Sequence, residues 1–472
     1  MVKLKTGAAI LAVLLTGAGH SAMAQSDQTV TMRDAVAIAM QSNPEIIEAQ
    51  MNMEAIQFER EQAQGLFAPR VEFEATGGIR RLENTTRRSL GIADNVLYPV
   101  EAGVRADWQI LDFGRRQAKV LNEASRVDGA SLRVLERSEF IALQVARQYL
   151  DLLLQERVYA STQDNIAFHR ALVGDLQQGV EQESISVADL QQAQERLEAS
   201  IVRSEQSREA LENARITLRR LTGLDIGMVQ LPPDLSGAMP TDIGRAVALA
   251  RTENPRVLES LADVDAAHAL VDEAEADLAP RVGIELNGRI GNDIDGFAGD
   301  TNDLRAVGYI RWTVFDGGIR AAHVQETVRQ ASQARYRLHD NIRRAEEDVR
   351  IAWNGLTTQE AVVAALDRQS RVSDDLLLSY RSQFNIGRRS LLDVLDAQNT
   401  RVNTQIRLET ARFSQLFAQY QVLAATSNFL DALSVPPGAG ALMNERERFD
   451  YGPPAPAELQ RRRYPSNTDA DQ

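Results

Sequence analysis

The chain contains no cysteine among its 472 residues. That excludes disulfides, thiolate chemistry and the cysteine through which a lipoprotein is anchored to lipid. Aromatic residues make up only 5% against 44% hydrophobic residues overall. So thin a supply of large core formers points to elongated helices packed side by side rather than to a thick globule. Past the N-terminus no apolar run approaches the roughly 18 residues that a membrane-spanning helix needs. Phosphate-loop, nucleophile-elbow and zinc-protease patterns are absent. His20 falls in the N-terminal segment, and His169, His268, His323 and His339 have no mutual spacing suited to a metal. No enzyme, cofactor or metal site is expected. The formal net charge of -14 argues against a nucleic-acid partner, because neutralising phosphates requires clustered cations.

What is present begins with Lys3 and Lys5, an apolar stretch from Ala8 to Ala18, and Ala22-Met23-Ala24 before Gln25. This is the layout of a cleavable secretory signal over residues 1–24. Beyond it lies an internal repeat. Asn43-Pro44 answers Asn254-Pro255 and Pro69-Arg70 answers Pro280-Arg281 at an offset of 211. The offset then becomes 204, pairing Trp108 with Trp312, Asp112 with Asp316, Gly114 with Gly318, Ser186 with Ser390, Asp189 with Asp393 and Ala193 with Ala397. The difference of seven residues falls between Arg70 and Trp108, so the first copy has the longer loop there. Two units are therefore expected, over residues 25–222 and 242–432, with a linker at 223–241.

Each unit has the same coarse order. An amphipathic helical stretch comes first, interrupted at the Asn-Pro because the residue before a proline is pushed out of the helical region. Strand pairs follow at about 70–111 and 281–315. Val100, Ala102, Val104, Ala106, Trp108 and Ile110 alternate with Glu101, Arg105, Asp107 and Gln109, and Val71 and Phe73 alternate with Glu72 and Glu74. In the second unit Val282, Ile284, Leu286 and Ile290 alternate with Glu285, Asn287 and Arg289, and Ala306, Gly308, Ile310, Trp312 and Val314 with Arg305, Tyr309 and Arg311. Such alternation predicts strands with one apolar and one wet face.

Proline-free helical patterns then run over about 113–180 and 318–386, each a rod of roughly 100 Å. Return helices are expected at about 186–222 and 390–430. On the first, Ala193, Ser200, Ser207, Ala214 and Leu221 recur every seven residues, beside a row of Leu190, Leu197, Leu211 and Leu218. On the second, Ala397, Thr404, Ala411, Ala418 and Ala425 do the same. Small residues at one heptad position let helices approach closely, and a strict seven-residue period implies left-handed supercoiling. The proline-rich stretch from Pro436 reads as a loosely held extension, giving a flexible tail over 433–472.

The Asn-Pro and Ala-Pro-Arg marks, the strand ends LDFG and FDGG, and above all NIGRRSLLDVLDAQ at 385–398 resemble the TolC-type outer membrane efflux protein family. The resemblance covers roughly residues 27–432. It implies an α+β membrane protein of the Gram-negative outer membrane, a homotrimer whose 12-stranded β-barrel takes four strands from each chain. A helical barrel would continue it across the periplasm and close at the hairpin tips. The implied partners are outer membrane lipid, an inner-membrane transporter and a periplasmic adaptor, and the implied function is export of proteins or small toxic molecules. Within the family the chain looks closer to the type I secretion members than to multidrug efflux components. A soluble periplasmic coiled-coil scaffold is the remaining alternative.

The same resemblance assigns Arg389, Asp393 and Asp396 to the gate and acidic constriction, and Asp189 to a gate partner on the first hairpin. Family members often carry a gate tyrosine where this chain has Phe384, which removes a hydroxyl-mediated bond to Asp189. Gly387, Arg388 and Glu183 fall at the hairpin tips implied to meet the adaptor, with Glu183 standing where the second copy has Gly387. From spacing alone, Ser390-x-x-Asp393 and Ser186-x-x-Asp189 are capping boxes, a sufficient role for both acids. Capping does not account for Asp396, whose counterpart is Gln192, nor for Arg388 and Arg389, whose counterparts are Ser184 and Ile185. In a trimer, copies of Asp396 around one axis would form a carboxylate ring that favours cations.

Overall fold

The computed structural model describes residues 29–442. The expected signal at 1–24 and the end of the tail lie outside the described residues. Four strands form one antiparallel sheet, in chain order: β1 (Arg70–Gly77), β2 (Val100–Leu111), β3 (Arg281–Asn292) and β4 (Asp300–Arg311). Register follows the alternation of the sequence. Phe73 faces Val104, which faces Gly288, which faces Leu304, and the next row runs Val71, Ala106, Leu286, Ala306. All of these side chains lie on one face. The other face is charged, with Arg105 3.3 Å from Glu285 and Arg289 3.1 Å from Asp303.

The apolar face is bare in the single chain. Phe73 is 73% exposed, Leu304 85% and Ile310 73%. Among the described residues the outer edges of β1 and β4 have no strand partner. The second strand pair is shorter than expected, because the chain leaves the sheet at Arg311 and Trp312 turns its indole N–H back to the Leu278 carbonyl, 3.1 Å away. Trp108 does the same to Phe67 at 3.0 Å.

Eight principal helices carry the rest: α1 (Met32–Ser42), α2 (Pro44–Gly65), α3 (Arg115–Glu181), α4 (Val187–Thr222), α5 (Ile243–Glu253), α6 (Pro255–Ala276), α7 (Ile319–Asn385) and α8 (Leu391–Ala425). The rods α3 and α7 are each 67 residues, about 100 Å at 1.5 Å per residue. Each starts after a left-handed glycine, Gly114 at φ 99° and Gly318 at φ 87°, a conformation that favours a residue without Cβ. An arginine braces each start, buried at the first and half-buried at the second. Arg116 binds Asp112 at 2.7 Å and donates to the Gln109 and Ile110 carbonyls, and Arg320 binds Asp316 at 2.7 Å and donates to the Asp277 carbonyl.

Near the sheet, α3 lies between α2 and α6, and α6 packs against α7; towards the tips, α3 lies between α4 and α8, and α8 packs against α7. The small heptad residues Ala193, Ser200, Ser207 and Ala214 on α4 and Ala397, Thr404, Ala411 and Ala418 on α8 are all buried in these seams. At mid-height Asn43 and Asn254 end α1 and α5 and cap α2 and α6. Their side-chain amides donate to the last-turn carbonyls of the return helices, Asn43 to Leu221 and Asn254 to Ala425.

Two expectations change here. The second return helix ends at Ala425 rather than near 430: Ser427 takes φ 58°, the Asn428 N–H returns to the Leu423 carbonyl at 2.8 Å, and a separate turn of helix follows at Phe429–Ala432. Residues 433–442 are not a loose tail. Leu433, Val435 and Ala441 are buried, the Gly438 N–H donates to the Ser138 hydroxyl at 3.0 Å, and Ser131 donates to the Gly440 carbonyl. Prolines here fix the path of a strap across α3 rather than releasing it.

Candidate functional site: the hairpin tips

The α3–α4 and α7–α8 turns are built on one backbone plan. In the first, the Ser184 N–H returns to the Gly179 carbonyl and the Glu183 N–H to Val180; in the second, Arg388 returns to Gln383 and Gly387 to Phe384. This doubly bonded helix ending needs a left-handed residue just past the helix. Glu183 supplies it at φ 56° and Gly387 at φ 73°. The exchange of glutamate for glycine that the repeat exposed therefore leaves the turn's shape unchanged.

Both helices that leave these turns start at a serine N-cap, but only the second has the full capping box expected of each. Ser186 accepts from the Asp189 N–H at 3.1 Å and donates to its carboxylate at 2.7 Å. At the second tip the reciprocal bond is also present, with the Ser390 N–H 3.3 Å and the Ser390 hydroxyl 2.8 Å from the Asp393 carboxylate. These bonds from Ser390, with Arg389 beside them, hold Asp393 below the ordinary carboxylate range.

The remaining tip residues separate into packed and free groups. Leu172 and Leu176 of α3, Ala193 of α4 and Leu391 and Leu395 of α8 form one apolar plug that joins the two hairpins. Phe384 is half-buried against it and against Leu377, Val394 and Ala397, so a ring without a hydroxyl suits its surroundings. Arg388 and Asp396 are exposed. Among the described residues Asp396 has neither an ion-pair nor a hydrogen-bond partner, and Asp189 bonds to Ser186 without pairing to Arg389.

Arg389 is held on its own hairpin. Its guanidinium lies over the Tyr380 ring at 4.2 Å from the centroid, Nε donates to Gln383 Oε1 at 3.1 Å, and Nη1 is 3.7 Å from the Asp393 carboxylate. Neither Tyr380 nor Gln383 was singled out from the sequence. Both are visible by the comparison that exposed Arg389, since at the 204-residue offset they replace Leu176 and Gly179.

The model of the outer membrane efflux protein family matches residues 35–224 and 246–428. The chain belongs to this family. As an outer membrane efflux protein it is placed in the outer membrane of a Gram-negative cell. Outer membrane efflux protein BepC of Brucella suis is 29% identical over 204 residues, 41% of this chain and 43% of the relative. Alkaline protease secretion protein AprF of Pseudomonas aeruginosa is 24% identical over 208 residues, 43% of each chain. The chain thus matches less than half the length of these relatives. The solved CmeC outer membrane channel of Campylobacter jejuni superposes with a TM-score of 0.74 at 16% identity, over 84% of this chain and 86% of that one; the likeness is one of fold.

Proposed function

We propose that this efflux protein is the exit duct of a trans-envelope export system, a homotrimer whose three sheets close into a 12-stranded β-barrel continuous with a helical tunnel. The observation that carries this reading is the sheet itself. Four strands with two free edges and one bare apolar face cannot sit in lipid alone, because hydrocarbon offers no partner to unpaired backbone groups. Copies of the chain joined edge to edge satisfy those groups, turn the apolar face to lipid and the charged face inward. In such an assembly α3, α4, α7 and α8 line a passage through the periplasm, and an inner-membrane transporter with a periplasmic adaptor delivers cargo at the tips.

Type I protein secretion is the favoured branch, supported by a relative named for alkaline protease secretion. Multidrug efflux is the second reading, supported by the higher identity to a relative named as an efflux protein. At the tips, Arg389 linked to an acid of a neighbouring chain, Asp189 among the candidates, holds the passage shut, and three copies of Asp396 form its acidic constriction. Gly387, Arg388 and Glu183 are the exposed turns that meet the adaptor. Detergent extraction from the outer membrane fraction, followed by a gel with and without heating, tests the assembly. A trimer band that dissociates on heating supports it; recovery as a soluble monomer overturns it.

A further inference from the structure

The two tips share one turn geometry but fill it with opposite chemistry. At the first, Ile185 folds over Gly179 so closely that a Cβ there would meet its Cδ1 at 2.6 Å. Leu176 and Ile185 belong to the same apolar plug. At the second, the matching positions are Tyr380, Gln383 and Arg389, joined by ring stacking and a 3.1 Å hydrogen bond. An apolar trio closes this turn well enough, as the first tip demonstrates. The polar trio therefore does something closure does not require: it keeps a guanidinium fixed at an exposed tip.

We propose that Tyr380 and Gln383 are positioning residues that dock Arg389 on its own hairpin, so that the gate is set by competition between this dock and an acid of the neighbouring chain. The inference rests on the gate reading given above. A guanidinium over an aromatic face is attracted by the ring's quadrupole, and the Gln383 oxygen fixes its orientation. While docked, Arg389 is withheld from the neighbour, so the dock favours the open tip. Phe384 cannot serve in the dock, because its ring is committed to the apolar plug.

Planar-bilayer recordings on purified trimer test this with four variants. Arg389→Ala removes the inter-chain link and raises the open fraction. Tyr380→Leu keeps apolar packing but loses the aromatic face, and lowers the open fraction by roughly threefold, the size of an exposed cation–π contact. Tyr380→Phe keeps the aromatic face and retains wild-type gating, whereas a role for the hydroxyl would make it behave like Tyr380→Leu. In the double variant Tyr380→Leu with Arg389→Ala, the effect of the leucine disappears. If Arg389→Ala opens the tip but Tyr380→Leu leaves it unchanged or opens it too, the dock is wrong and the gate stands. If Arg389→Ala changes nothing, both fall. A gel of each variant with and without heating verifies that the trimer forms.

Discussion

Glu183 and Gly387 occupy the same place in the two hairpin turns, both left-handed, at φ 56° and 73°. A residue with Cβ is strained in this region by roughly 1 kcal/mol or more, and glycine is not.

Glu183→Gly is therefore tolerated and stabilises the first tip by up to about 1 kcal/mol before the loss from greater chain freedom is subtracted. Gly387→Glu destabilises the second by about as much. Limited proteolysis at the tips reads the difference: slower or unchanged cutting for the first variant, faster for the second. Faster cutting of both would show that side-chain contacts of Glu183, and not the turn, govern the first tip.

The arginine braces where the rods leave the sheet differ in burial. The side chains of Arg116 and Asp112 are each 8% exposed, those of Arg320 and Asp316 22%. Removing one partner of a buried pair strands the other charge, at a cost of about 3–5 kcal/mol. Arg116→Ala should cost a cost in that range and reduce the yield of heat-resistant trimer, while Arg320→Ala costs less because water reaches the abandoned Asp316. Equal losses would contradict the ranking.

Glu139 gives the protein a pH dependence. Burial, opposed in part by the Leu430 N–H and reinforced by Asp431, pushes its pKa up to about 8. Because the folded pKa is raised above the unfolded value, the contribution to stability is complete below about pH 4.5 and is lost as pH rises to about 8, with a slope of up to about 1.4 kcal/mol per pH unit. Glu139→Gln flattens this slope and leaves the protein more stable than wild type at pH 8. Thermal unfolding at a series of pH values measures it, and parallel curves for the two proteins would show that Glu139 does not titrate in that window.

The strap over α3 gives a truncation test. A stop after Leu442 keeps the bonds to Ser138 and Ser131 and serves as the reference. A stop after Ala432 removes Leu433, Val435 and Ala441 from their buried sites, each larger side chain worth about 1.5–3 kcal/mol when fully buried, and lowers the unfolding temperature. Identical midpoints would return this segment to the loose tail expected from its prolines.

The strands and rods were legible because their signals are periodic. The alternation through Val104 and Leu286 set which face of each strand is apolar, and the absence of proline between Gly114 and Gly179 left a helix nothing to end it. The strap was not legible, because Pro436 and Pro437 report local stiffness while the bond that ties the segment down, from Gly438 to Ser138, reaches a helix 300 residues away in sequence. At the tips, Ser390 and Asp393 were readable since a capping box is local. The dock of Arg389 was missed because it spans nine residues across a turn, from Tyr380 to Arg389, and a stacked ring carries no sequence spacing of its own.

The most direct test of the account is the conductance of the purified protein in a planar lipid bilayer, with divalent cations added on the side of the tips. The account predicts discrete channels that divalent cations block, and a block weakened by Asp396→Asn with the trimer intact. Absence of channels, or a block unchanged by that substitution, would contradict a passage constricted by a ring of Asp396.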